Sequence, residues 1–75
     1  MADKITKEQY EELEYARFCD KHEYHKLLKE IVGIVAQPYT AFSYYDSVGN
    51  YVGDSENFDL DDLLKSAYVE VVDDA

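Results

Sequence analysis

Residues 39–54, YTAFSYYDSVGNYVGD, decide whether this chain is purely helical or mixed. Tyr39 to Asp46 is rich in aromatics and reads as a strand, Ser47-Val48-Gly49-Asn50 supplies the turn, and Tyr51-Val52-Gly53 returns. An isolated hairpin is marginal in water, so its apolar face must lie on the helices around it.

Upstream, Thr6-Lys7-Glu8-Gln9 is a capping box, with Ile5 and Tyr10 at the flanking positions of a hydrophobic staple. Tyr10, Leu13 and Ala16 recur at helical spacing, and Glu8, Glu11, Glu12 and Glu14 fall mostly in the early turns, where the helix dipole favours anions. Tyr15, Phe18 and Cys19 point to another face. After Asp20 the first face resumes with Tyr24, Leu27, Leu28, Ile31 and Val35. Residues 7–36 therefore read either as one long helix with a wide apolar belt or as two helices broken near Asp20–His22. Asp20 followed by Glu23 is a second cap signal, and it favours the break. Either belt needs cover on both sides. Gln37-Pro38 is expected to close the helical region, since Pro lacks a donor and restrains the residue before it.

Downstream, Asp54 to Asn57 reads as loop and Asp59 as an N-cap, with Phe58 and Leu63 placed as a staple. Leu60, Leu63, Leu64 and Ala67 give that helix its apolar face. Tyr68 to Val72 is β-branched and reads either as a third strand or as the last turns of the helix. The expected fold is a small α+β single domain over residues 1–75. It has an N-terminal helix or helix pair, a central hairpin, a third helix and room for a C-terminal strand.

Seventy-five residues are too few for two cores, and a chain this size buries only about 60% of its unfolded surface. The one cysteine, Cys19, has no internal partner, as expected in a reducing cytosol. Met1-Ala2-Asp3-Lys4 opens a polar run without the features of a signal peptide. The longest apolar run, Ile31 to Ala36, is six residues against the ~20 of a membrane span. These features predict a soluble cytoplasmic protein. With 47% apolar residues, eight Tyr and three Phe, the chain is expected to fold despite its charge.

The charge is uneven. Residues 1–29 hold seven acids against six bases, and residues 30–75 hold ten acids against Lys65 alone. Such a field repels nucleic acid and anionic membrane and steers basic partners in. The net charge of −10 exceeds the magnitude of about 2–8 that solubility needs in a small domain.

Chemistry-bearing motifs are sparse. Cys19, His22 and His25 are three apart, and a closed tetrahedral metal site needs four ligands. Cys19 is expected to pack as a small apolar group and the histidines to lie at the surface. No EF-hand register fits: from Asp46 the third position is Val48, and from Asp54 no Gly follows. No Gly-rich phosphate loop is present, and the Cys19–His22 pair has no third orienting group. The chain is expected to be no enzyme and to use no cofactor.

The acidic segment remains. Helical residues three or four apart are about 5–6 Å apart at Cβ, comparable to neighbouring phosphates. Asp59 and Asp62 fall at that spacing and Asp61 lies alongside. Asp54 and Glu56 extend the row through the loop, and Asp46 ends the hairpin. Glu70, Asp73 and Asp74 continue it if the C-terminus folds back. Tyr51 stands among these acids, and Tyr accepts stacking by Arg. Asp46, Tyr51, Asp54, Glu56, Asp59, Asp61 and Asp62 are thus the expected contacts for a basic nucleic-acid-binding host protein. The chain would inhibit or modulate that protein by mimicking DNA or RNA phosphate charge. An expectation of phage or mobile-element origin rests on class and charge alone. The alternative is an interaction module or antitoxin-like adaptor that binds through Tyr15, Phe18 and Leu27. A homodimer through the helical belt is compatible with both.

Overall fold

The Gln9 amide donates to the Thr6 hydroxyl at 3.1 Å, and the Thr6 N–H donates to the Gln9 side chain at 2.9 Å. Two donors that a helix start leaves unpaired are thereby met, and the first helix begins at its capping box. The computed structural model describes residues 4–38 and 41–73. In chain order the elements are β1 (Lys4–Thr6), α1 (Lys7–Cys19), α2 (Lys21–Leu27) with a π turn over Leu28–Val32, β2 (Val35–Pro38), β3 (Phe42–Tyr45), β4 (Tyr51–Asp54), α3 (Leu60–Ser66) and β5 (Glu70–Val72). The fold is α+β.

Two helices, and not one, fill the N-terminal half. Asp20 is extended (φ −155°, ψ 98°), and its carboxylate accepts from the N–H groups of His22 at 3.1 Å and Glu23 at 3.3 Å. The same residue therefore breaks α1 and caps α2. The helical region ends at Gly33, five residues before the expected stop at Pro38. Gly33 is left-handed (φ 79°) and its N–H donates to the Lys29 carbonyl at 3.1 Å. Glycine takes that conformation without a Cβ penalty, so it terminates helices well. Val35, expected on the helical face, instead opens β2.

Strands β2, β3 and β4 form an antiparallel meander, with Ala36 opposite Tyr44 and Tyr44 opposite Gly53. Of the predicted first strand, Tyr39 and Thr40 lie outside the described residues, and the strand runs from Phe42. The predicted hairpin face packs inward through Tyr44 and Val52. Gly53 is needed for close approach: a Cβ there would stand 2.7 Å from the Phe58 ring and 2.8 Å from a Leu63 methyl. Those two residues, expected to staple the start of α3, seat on the glycine.

Helix α3 ends in a Schellman motif. The Val69 N–H donates to the Leu64 carbonyl at 2.8 Å and the Tyr68 N–H to the Lys65 carbonyl at 3.1 Å. Tyr68 occupies the left-handed position (φ 58°) that glycine usually fills. The turn sends β5 parallel to β1, with Ile5 opposite Val71. The C-terminal segment is therefore a strand, and its partner is the short segment before α1.

The buried residues form one cluster, with Leu13 from α1, Tyr24 from α2, Leu28 and Val32 from the π turn, Tyr44 from β3 and Leu60 and Leu63 from α3 among them. Burying each such aliphatic side chain contributes about 1.5–3 kcal/mol. The helical belt is not covered on both sides: Tyr15 is 73% and Phe18 75% exposed. No helix among the described residues is long and apolar enough to cross a membrane.

Candidate partner-binding surface

The carboxylates at the end of β4 and the start of α3 are held by the backbone they organise. Asp54 Oδ1 accepts from the N–H groups of Glu56 at 3.0 Å and Asn57 at 2.8 Å, and from the Asn57 side chain at 3.2 Å. Its Oδ2 accepts from the Tyr51 hydroxyl at 2.7 Å. Asp59 Oδ1 accepts from the Asp62 N–H at 2.9 Å, and Asp62 Oδ2 accepts from the Asp59 N–H at 3.3 Å. A capping box is thus built from two acids. Asp61 Oδ1 accepts from the Tyr10 hydroxyl at 2.6 Å, which ties α3 to α1. At the far end of the hairpin, Asp46 accepts from Val48 N–H at 3.0 Å and Asn50 N–H at 2.8 Å.

Turn and cap chemistry thus accounts for the positions of Asp46, Asp54, Asp59 and Asp62. It does not account for their charge, because Asn or Ser caps about as well as Asp. Backbone and hydroxyl donors hold the charged form. Asp46 lies below the ordinary aspartate value chiefly through the Asn50 N–H, Asp54 through the Tyr51 hydroxyl and Asp59 through the Asp62 N–H. Conversely, the Asp61 carboxylate and burial push the Tyr10 hydroxyl up to about 12, so it stays a donor. Asp54 and Asp59 are thus fixed in place by the same hydrogen bonds that favour their charged form.

Asp54, Glu56, Asp59, Asp61 and Asp62 lie within one turn–helix segment, and Tyr51 joins them through Asp54. Tyr51 is 55% exposed, and its ring packs edge-on to Tyr45 with centroids 6.0 Å apart. Asp46 is separated from Asp54 by the length of β4, roughly 13 Å at about 3.3 Å per residue. Glu70 lines the same groove as Asp61, together with Lys65, Leu64 and Tyr68. Asp73 follows β5, and Asp74 lies outside the described residues. The field is not wholly one-signed, because the charge of Arg17 on α1 also acts, as a lesser cause, to lower the Asp59 pKa.

The sulfur and imidazole groups sit elsewhere. Cys19 is exposed at the end of α1 and does not pack as a small apolar group, because the chain breaks immediately after it. His22 is exposed, as expected, whereas His25 is half-buried: its Nε2 lies 2.9 Å from the Tyr44 hydroxyl and its ring 4.5 Å from that of Phe42. Burial, Lys21 and His22 hold its pKa below the ordinary 6.5. Among the described residues, no three His, Cys, Asp or Glu side chains gather as a metal site.

Sequence reasoning missed two contacts: Tyr10 on Asp61, and Ser55 Oγ accepting from the Phe42 N–H at 3.0 Å. Each joins residues far apart in the chain, so no local pattern signals it. No known protein family, curated protein or solved structure matches this chain.

Proposed function

We propose that the protein is a non-catalytic acidic binding protein. In this reading its turn–helix end presents carboxylates to the nucleic-acid-binding surface of a basic protein and occupies that surface as phosphate would. One observation carries the reading: acids stand at cap and turn positions that a neutral residue could fill, and their hydrogen bonds fix where their charge lies. Exposed Tyr51 beside Asp54 adds a ring for an arginine to stack on. The fixed geometry favours such recognition, since preorganised carboxylates lose little freedom on meeting Lys or Arg.

The test is capture on the tagged protein from nuclease-treated lysate of the cells that express it, followed by a salt gradient and a challenge with duplex DNA. A nucleic-acid-binding protein that leaves with salt and is displaced by DNA supports the reading. A salt-resistant partner without a nucleic-acid site overturns it.

A second reading has its own observation. Tyr15 and Phe18 are 73% and 75% exposed on one helix, which suits a partner, or a second copy of this chain, that binds through apolar contact. Leu27 does not belong to that patch, because it packs against the core.

A further inference from the structure

Arg17, Phe18, Lys21, Tyr24, Tyr44, Ser55 and Phe58 line a cleft of about 200 Å³ between the α1–α2 break and the turn after β4. Tyr24 is only 2% exposed, yet its hydroxyl has no hydrogen-bond partner among the described residues. Tyr10, Tyr44 and Tyr51 each have one. No side-chain polar atom among the described residues is both sealed from solvent and unpartnered, so the Tyr24 oxygen must keep an opening. The cleft it lines supplies that opening. A nearly buried tyrosine therefore lines a concave site together with two of the chain's seven bases.

The remaining groups define what would fit. Ser55 Oγ already accepts from the Phe42 N–H, which leaves its own proton to donate outward. The Arg17 guanidinium lies 5.3 Å from the centre of the Phe18 ring, which holds the cation over an apolar wall. Phe58 lines the cleft as a second aromatic wall. Pockets for drug-sized ligands span about 300–1,000 Å³, so this one takes only a small body. Arg17 and Lys21 both line the cleft, and the acidic turn beside it adds charge of the opposite sign, so a ligand with a single negative charge is the simplest match.

We propose that this cleft is a binding site for a small aromatic monocarboxylate. Its carboxylate would accept from Arg17, Lys21 and the Tyr24 hydroxyl, and its ring would lie between Phe18 and Phe58. The cleft shares the turn after β4 with the acidic surface through Ser55 and Phe58, but the proposal does not rest on that surface's function.

The experiment is a titration of the isotope-labelled protein, read by NMR, with benzoate, its neutral isostere benzamide and the dianion phenyl phosphate as probes. Benzoate should give saturable shifts confined to residues around the cleft, with benzamide and phenyl phosphate at least about tenfold weaker. Lys21→Gln, at an exposed position, should weaken benzoate by about tenfold, as loss of a charged hydrogen-bond partner does. Tyr24→Phe keeps the ring and should weaken it by roughly threefold or more. Linear shifts without saturation, equal binding of benzamide, or an unchanged Lys21→Gln affinity would each overturn the proposal.

Discussion

The start of α3 and the exposed side of α1 make a useful contrast. Between residues 54 and 62, four of the five acids accept hydrogen bonds that shape the chain, and their charge is surplus to that task. On α1, Tyr15 and Phe18 are large apolar side chains left mostly in water. The first region ties surface chemistry to fold stability and the second leaves them separate. A surface that is also a structural device must change both properties when it is altered. An unpartnered patch should change only binding.

The largest expected effect therefore lies with charge removed while caps are kept. The combined variant Asp59→Asn, Asp61→Asn and Asp62→Asn retains oxygen acceptors at all three positions. If each exposed charge pair is worth at most about 1 kcal/mol, affinity for a basic partner should fall by roughly 100-fold at low salt, and by much less at high salt. Titration calorimetry or a binding assay at two salt concentrations checks this. Equal affinities of variant and parent would break the acidic reading.

Next in size is the seat on which that region rests. Gly53→Ala forces a methyl against Phe58 and Leu63 and should cost about 1–3 kcal/mol, read as a lower urea midpoint at unchanged m-value. If Gly53→Ala is neutral, then Phe58 and Leu63 yield easily and the turn is not rigidly presented.

Asp59 separates geometry from charge in a single residue. Asp59→Ala should cost about 1 kcal/mol and Asp59→Asn only a few tenths. The pH dependence follows the sign of its shift. The folded carboxyl titrates below the ordinary 3.8, so its stabilisation is fully present above that value and is lost as pH falls through the folded pKa. In Asp59→Asn that contribution to acid unfolding should vanish. Thermal melts of the three proteins at several pH values measure both effects.

Much of this arrangement was legible in the sequence, because caps and turns are local. Thr6 with Gln9, Asp20 with Glu23, and Asp59 three residues before Asp62 need only side chains that reach nearby N–H groups, and the aromatic hairpin declares itself similarly. What failed was also physical. Gly33 sits inside Ile31–Ala36, and the apolar spacing continued through it to Val35, so Pro38 looked like the first stop. A single left-handed glycine outweighed that periodicity. Strand β1 spans three residues, too few for alternation to show, and exists only because β5 returns beside it. The cleft at Tyr24 was invisible for the same reason: its walls come from the α1–α2 helices and from a turn more than thirty residues later.

Tyr68 offers a smaller test of the same contrast. A left-handed non-glycine residue costs roughly 1–2 kcal/mol, while glycine gives back about 0.5–1 through its unfolded-state freedom. Tyr68→Gly should therefore stabilise the protein by up to about 1 kcal/mol, seen as a modest rise in Tm. A loss of stability instead would mean that the 90% exposed ring makes packing contacts that the fold depends on.

The smallest expected effect is the most decisive between the two binding readings. Tyr15 is 73% exposed and belongs to neither the core nor the layer packed against it. Surface substitutions of this kind stay within about 0.5 kcal/mol, so Tyr15→Ser should leave the melt where it is. Binding to a partner held by carboxylates should be equally unmoved. A partner held by the apolar face of α1 would lose an aromatic anchor, and anchors of that type cost more than about 2 kcal/mol when truncated. Measured beside the triple Asn variant against the same partner, Tyr15→Ser assigns the contact to one face: whichever variant loses affinity marks the surface that binds.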